Sequence, residues 1–221
     1  LHTTALAHLS CVSSTKENIH SILSDLRAEG ITNILALGGD QPDDESSETL
    51  PDDYHYAYQL VEDIKTFGGF CIGGACYPEG HIRSKNIEED LRYLKNKVDT
   101  GVDFLITQMF FDNSVMYSFL SRALKKNIDV PVLAGVMPVT SAKTIKRMQE
   151  LSGARLTPRL WSLIDRWGED PDAMQKAGII HASEQILDLI ANGVQGIHVY
   201  TMNKPVIAAE IQQNIGFALN P

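Results

Sequence analysis

Short β-branched or apolar runs alternate with amphipathic stretches along the whole chain. The candidate strands are Ala5–Cys11, Asn33–Leu37, Phe70–Cys76, Phe104–Met109, Val132–Val136 and Gly196–Tyr200. Between them the period changes. Ile87, Leu91, Leu94 and Val98 recur at helical spacing, with Glu88, Glu89 and Lys95 on the polar side. Ile186, Leu187, Leu189 and Ile190 mark a second apolar stripe, closed by Asn192-Gly193. Ser141 caps a helix containing Ile145 and Met148, and Thr201 or Asn203 caps a last helix starting near Pro205. Strand, helix, strand at intervals of about 30 residues means parallel strands joined by right-handed crossovers. The interval between the fifth and sixth strands is about twice as long. It holds extra helical material at Pro158–Trp167 and Asp172–Ala191, so an inserted helix is expected there.

Such units fit an open doubly wound sheet or part of an eight-stranded barrel. The polar residues favour the second. Gly39-Asp40 follow the second strand, Tyr77, Glu79 and His81 the third, Gln108 and Asp112 come at the fourth, Pro138 after the fifth, and Thr201 and Asn203 after the sixth. Active sites of α/β folds sit at this carboxyl edge, and one polar residue from each of several strands is the barrel's style. A dinucleotide fold instead concentrates its signal in one glycine-rich turn, and no G-x-G-x-x-G occurs. The expected fold is α/β, a TIM-type (β/α)8 barrel with about six of its eight units in this chain, as one domain over residues 1–221.

Composition narrows the function. The net charge of −9 argues against a nucleic-acid or anionic-membrane partner. No apolar run approaches the roughly 20 residues needed to cross a bilayer, and Leu1–Ala7 lacks a charged n-region, so a soluble cytoplasmic protein is expected. The three cysteines, Cys11, Cys71 and Cys76, read as buried free thiols of a reducing compartment, with Cys71 and Cys76 on opposite strand faces. The polar stretch Gly38–Asp53 carries six acidic residues beyond Asp40 and reads as a solvated loop, and no metal ligation is expected. H-x-H, H-E-x-x-H and G-x-S-x-G are all missing, which leaves metal-dependent and serine hydrolysis without a motif.

Four constellations carry candidate chemistry. Asp40, behind two glycines that let backbone approach a flat ligand, places a carboxylate where it can stabilise a developing cation; a turn or cap residue is the structural alternative. Gln108 interrupts an apolar strand with a carboxamide whose two ends match a heterocycle with adjacent N–H and C=O groups, or else serve an internal network. Tyr77-Pro78-Glu79-Gly80-His81 gathers an aromatic, a carboxylate and an imidazole in one loop, whereas His8 differs from the other histidines only by its place within the first strand. Asp90, Tyr93 and Lys97 share a helix face, as the edge of a ligand's phosphate or ribose or as an ordinary surface ion-pair face.

Six segments, in order, resemble the methylenetetrahydrofolate reductase family: His8–Cys11, Asn33–Asp40, Ala75–His81, Phe104–Asp112, Ala134–Val139 and His198–Asn203. The resemblance covers nearly the whole chain. It implies a β/α barrel holding a flavin, FAD or alternatively FMN, that receives electrons from NADH or NADPH and passes a hydride to methylenetetrahydrofolate, giving methyltetrahydrofolate in one-carbon and methionine metabolism. It places His8, Gly39, Asp40, Ala75, Tyr77 and His81 along the flavin and Asp90 and Lys97 near its ribose and phosphates. Asp40 and Gln108 become the catalytic pair, Asp40 toward the folate iminium and Gln108 toward the pterin, while Lys204 meets the folate's glutamate tail. Departures are visible: Gly38 stands where the family has arginine, Tyr93 and Asn96 replace polar and basic residues, and Thr144 and Met148 stand where a glutamine and an aromatic are expected. The family also has two earlier β/α units, the first carrying a general-acid glutamate, and a sheet without them has open edges that favour a homo-oligomer. A non-catalytic barrel-derived ligand-binding or interaction module is the alternative.

Overall fold

The computed structural model describes residues 3–39 and 53–219. Its strands are β1 (Ala7–Ser10), β2 (Asn33–Leu37), β3 (Cys71–Cys76), β4 (Phe104–Thr107), β5 (Val132–Val136) and β6 (Gly196–Val199). Its helices are α1 (Lys16–Ala28), α2 (Ala57–Phe67), α3 (Ile87–Gly101), α4 (Asn113–Lys125), α5 (Ala142–Ser152), α6 (Pro158–Trp167), α7 (Pro171–Ala191) and α8 (Pro205–Leu219). The six strands form a sheet in sequence order, β1 to β6. Every connection is therefore a helical crossover, the β/α repeat that the spacing of apolar runs implies. The lengthened interval before β6 holds α6 and α7, as expected for an insertion. Among the described residues, no helix is long and apolar enough to cross a membrane.

Contacts divide the chain into two compact units, residues 1–75 with 92–105, and residues 76–91 with 106–221. In the first, β1 pairs in parallel with β2 (His8 opposite Leu35) and β2 with β3 (Ile34 opposite Ile72). Ile34, Leu35 and Ala36 are consecutive and all buried, the pattern of a strand covered on both faces. Leu60, Val61 and Ile64 of α2 and Ile19 and Leu23 of α1 are buried as well. Tyr54 is buried too, its hydroxyl donating to Asp63 Oδ2 at 2.5 Å, and burial raises its phenol far above the usual range, with Asp63 adding to the effect.

In the second unit β5 and β6 pair in parallel, Ala134 opposite Ile197 and Val136 opposite Val199. A cluster of Phe111, Val139, Ile145, Ala154, Leu160 and Met174 forms part of its core, with Met148 packed against it. Helix starts here follow local capping chemistry. Asp112 Oδ1 accepts from Ser114 N–H at 2.9 Å at α4, and Thr157 Oγ1 accepts from Leu160 N–H at 3.2 Å at α6. Asp170 Oδ1 accepts from both Asp172 and Ala173 N–H at 3.1 Å, ahead of Pro171 in the first turn of α7. Ser141 precedes α5 as expected but makes no side-chain cap bond.

The cysteine reading needs one correction. Cys11 and Cys76 are buried free thiols, but Cys71 is exposed. Cys71 and Cys76 do take opposite faces of β3, and the first residue of that strand simply faces outward.

Candidate active site

The second unit concentrates hydrogen bonds around one peptide group, that joining Thr107 to Gln108. β4 ends at Thr107, so Gln108 lies just beyond the strand rather than inside it. The Gln108 N–H donates to the Cys76 carbonyl at 2.7 Å. On the other side of the same peptide, the Thr107 carbonyl accepts the Tyr200 hydroxyl at 2.8 Å. The buried Thr107 Oγ1 accepts the Gly135 N–H, also at 2.8 Å. The Gln108 side chain is half-buried, and its Oε1 accepts the Met109 N–H at 2.9 Å. That bond occupies the acceptor end of the carboxamide. Its Nε2 has no partner among the described residues and is left as a donor.

Gly135 makes this arrangement possible. A Cβ there would fall inside van der Waals contact of the Thr107 carbonyl oxygen and 2.8 Å from Tyr200 Cε2. Tyr200 is held from its own backbone, whose N–H donates to Val136 O at 2.9 Å, and by an edge contact with His198, ring centroids 4.7 Å apart. Burial pushes its phenol up to about 12, with Cys76 and Tyr77 contributing further. It is therefore a neutral donor throughout the neutral range.

The loop after β3 carries the second group. Tyr77 and His81, both half-buried, meet edge to face with centroids 4.5 Å apart and planes at 85°. Gly80 N–H closes a turn onto Tyr77 O at 2.9 Å, and His81 Nδ1 accepts from Arg83 N–H at 3.1 Å. Between them, the Glu79 side chain is only 15% exposed; it accepts the Arg155 N–H at 3.1 Å and lies 3.8 Å from Arg155 Nε. Burial raises its carboxyl above the usual range, the Arg155 bond and charge oppose this, and Asp112 adds to the rise. The loop's far end is tied down by Ser84 Oγ, which donates to Asp90 Oδ1 at 3.0 Å. Asp90 is 8% exposed, so this carboxylate is engaged within its own unit rather than standing on an open surface.

After β6 the backbone turns through two left-handed non-glycine residues, Met202 (φ 49°) and Asn203 (φ 60°), before Lys204, whose side chain is exposed. Non-glycine residues in that region cost energy and tend to gather at functional loops.

The first unit holds the remaining candidates. His8 is exposed on β1. Gly39 is exposed at φ +82°, and a side chain there would meet Val12 Cγ2 at 3.0 Å and Ser10 Cβ at 3.1 Å, so the position suits glycine alone. The Lys97 ammonium, from α3, donates to the Ala75 carbonyl near the end of β3. Asp40 lies outside the described residues, as do Asp43, Asp44, Glu45, Glu48 and Asp52 of the acidic stretch, while Asp53 caps α1 by accepting Lys16 N–H at 2.9 Å. No cluster of three or more His, Cys, Asp or Glu side chains able to hold a metal occurs among the described residues.

Within the first unit, the exposed glycine backbone at Gly39 and the Lys97 ammonium are group types that suit a flat ring and a phosphate. Within the second, Tyr77 with His81 presents an aromatic edge. Tyr200 and Thr107 were not among the site residues expected from the sequence, whereas Glu79 was named as the carboxylate of its loop. Only the aromatic at the end of the sixth strand and the glycine in the fifth hinted at the first two.

Residues 1–216 match the profile of the family described as methylenetetrahydrofolate reductase. The 5,10-methylenetetrahydrofolate reductase of Pectobacterium carotovorum subsp. carotovorum is 31% identical over 96% of this chain and 70% of its own length. "Methylenetetrahydrofolate reductase (NADH) 1" of Arabidopsis thaliana is 30% identical over 96% of this chain but 38% of its own length. "Probable methylenetetrahydrofolate reductase (NADPH)" of Caenorhabditis elegans is 33% identical, again over 96% of this chain, and 32% of its own length. Among solved structures, an uncharacterised protein from Clostridium thermocellum, described as binding two copies of 5-methyl-5,6,7,8-tetrahydrofolic acid, superposes with a TM-score of 0.60 at 18% identity. That superposition covers 97% of this chain and 72% of the other and extends the likeness of fold. With residues 1–216 of its 221 matching that profile, this chain belongs to the methylenetetrahydrofolate reductase family of oxidoreductases.

Proposed function

We propose that this protein reduces methylenetetrahydrofolate to methyltetrahydrofolate with a bound flavin, FAD before FMN, and NADH or NADPH as electron donor. The observation that carries the reading is Gln108. A carboxamide at the end of β4 keeps its NH2 without a partner among the described residues, while its oxygen and its backbone N–H are both engaged. A fixed side-chain donor of this kind suits a ring acceptor of a pterin, and discriminates against rings that lack one.

A bound flavin supplies a two-electron carrier that accepts a hydride from one substrate and returns it to the next. The chain's own residues do the rest. In the first unit, exposed His8, the open backbone at Gly39 and the Lys97 ammonium beside the Ala75 carbonyl provide contacts for ring and phosphates. In the second, Tyr77 and His81 provide aromatic contact, Asp90 is the ribose candidate, Gln108 orients the pterin, and exposed Lys204 meets the carboxylates of the glutamate tail. Lysine there acts as a point charge without arginine's two-pronged fork. Asp40 is the carboxylate proposed to stabilise the iminium that the folate forms before hydride arrives. The relatives' names support the nicotinamide donor, and the folate bound by the Clostridium thermocellum protein supports the choice of probe.

The test is an anaerobic absorbance titration of the flavin-reconstituted protein. Methyltetrahydrofolate and, separately, a reduced nicotinamide are expected to bleach the flavin band. A protein that binds neither FAD nor FMN overturns the proposal. One that binds the folate but never exchanges electrons is instead the non-catalytic ligand-binding module.

A further inference from the structure

We infer that Tyr200 is the positioning residue for Gln108, acting through the peptide that joins Thr107 to Gln108. The inference rests on the reading of Gln108 as the pterin-binding residue and deepens it. Both polar ends of that peptide are bonded: its carbonyl accepts the Tyr200 hydroxyl at 2.8 Å, and its N–H donates to Cys76 O at 2.7 Å. A peptide plane held at both ends cannot rock, so the N–Cα bond from which Gln108 projects is anchored by these two bonds.

The Tyr200 bond is built rather than incidental. It joins residues 93 positions apart. The hydroxyl reaches its acceptor only because position 135 lacks a Cβ, which would sit 2.8 Å from Tyr200 Cε2. Gly135 in turn donates its N–H to Thr107 Oγ1, fixing the residue whose carbonyl Tyr200 holds. The ring is steadied by His198 at 4.7 Å, and its backbone by Val136. A carboxamide that orients a heterocycle needs its geometry held within fractions of an ångström, and supporting bonds of this type supply that. Tyr200 need not touch the substrate to matter.

The test is a double-substitution cycle read by equilibrium binding of methyltetrahydrofolate, which needs no turnover. Tyr200→Phe keeps the ring and removes one oxygen, and is expected to raise Kd about tenfold, the scale of one lost buried hydrogen bond. Gln108→Ala raises it by at least as much. In the Gln108→Ala background, Tyr200→Phe adds nothing, because Tyr200 acts through the side chain already removed. Additive effects overturn the inference while leaving the proposed function standing. A Gln108→Ala protein that binds folate as the parent does overturns the assignment of Gln108, and this inference with it. Amide hydrogen exchange on the unsubstituted protein gives a reading independent of how the variants fold. The Gln108 amide should be protected like a core strand amide, and exchange at the rate of an exposed loop contradicts a clamped peptide.

Discussion

Gly135→Ala puts the packing around the Thr107 carbonyl to its hardest test. The added methyl has nowhere to go: it lands on that oxygen and on Tyr200 Cε2 at 2.8 Å, where ordinary contacts need more room. The oxygen cannot simply retreat, because it accepts the Tyr200 hydroxyl and belongs to β4. Overpacking of this kind costs about 1–3 kcal/mol, and a contact with backbone rather than a flexible side chain lies at the top of that range. Parting β4 from β5 also weakens the Gly135 N–H bond to Thr107 Oγ1, adding about 1 kcal/mol. The expected loss is therefore about 4 kcal/mol, or roughly 8–16 °C in Tm for a domain of this size. Gly216→Ala is the matched control. It sits in α8 with open space around the new carbon, and should be stabilised by up to about 1 kcal/mol through helix propensity. Urea unfolding followed by far-ultraviolet circular dichroism measures both. A Gly135→Ala protein within about 1 kcal/mol of the parent would refute the close packing on which the positioning of Gln108 depends.

Two further outcomes follow from other parts of the molecule. Burial raises the Glu79 carboxyl, so the folded protein holds that proton more tightly than the unfolded chain; the associated stability is present in acid and lost as pH rises through the folded value. Glu79→Gln keeps an acceptor for Arg155 N–H and removes the charge, so unfolding followed at pH 4 and pH 8 should show a smaller decline toward pH 8 than in the parent. Asp170→Ala removes the acceptor for two N–H groups at the start of α7 and should cost about 1 kcal/mol, or roughly 2–4 °C in a thermal melt.

Much of the fold was legible because local chemistry writes it into short windows. The bounds of β2 and β5 follow from short, largely apolar runs, and α6 spans the expected Pro158–Trp167, whereas α7 starts at Pro171, one residue before the expected Asp172. Gln108 stood out as a carboxamide in an apolar run, but the run overshot the strand by two residues, since apolar side chains continue past the last ladder pair. Tyr77 and His81 were legible as neighbours in one loop, and their rings do touch. Tyr200 was not. Its role depends on a contact across 93 residues and on the missing Cβ of Gly135, and neither leaves a periodic trace. Glu79 was visible as a loop carboxylate, but its burial against Arg155, 76 residues on, was not. Met148 replaces an expected aromatic, and the structure packs it against the cluster of Phe111, Leu160 and Met174.

The central claim is that the Gln108 carboxamide grips the folate and not the electron donor. Stopped-flow comparison of the two half-reactions in Gln108→Ala and the parent tests it most directly. The folate half-reaction should slow by about 10- to 100-fold, while flavin reduction by nicotinamide stays within about twofold. Equal losses in both half-reactions, or an unaffected folate step, would contradict the account.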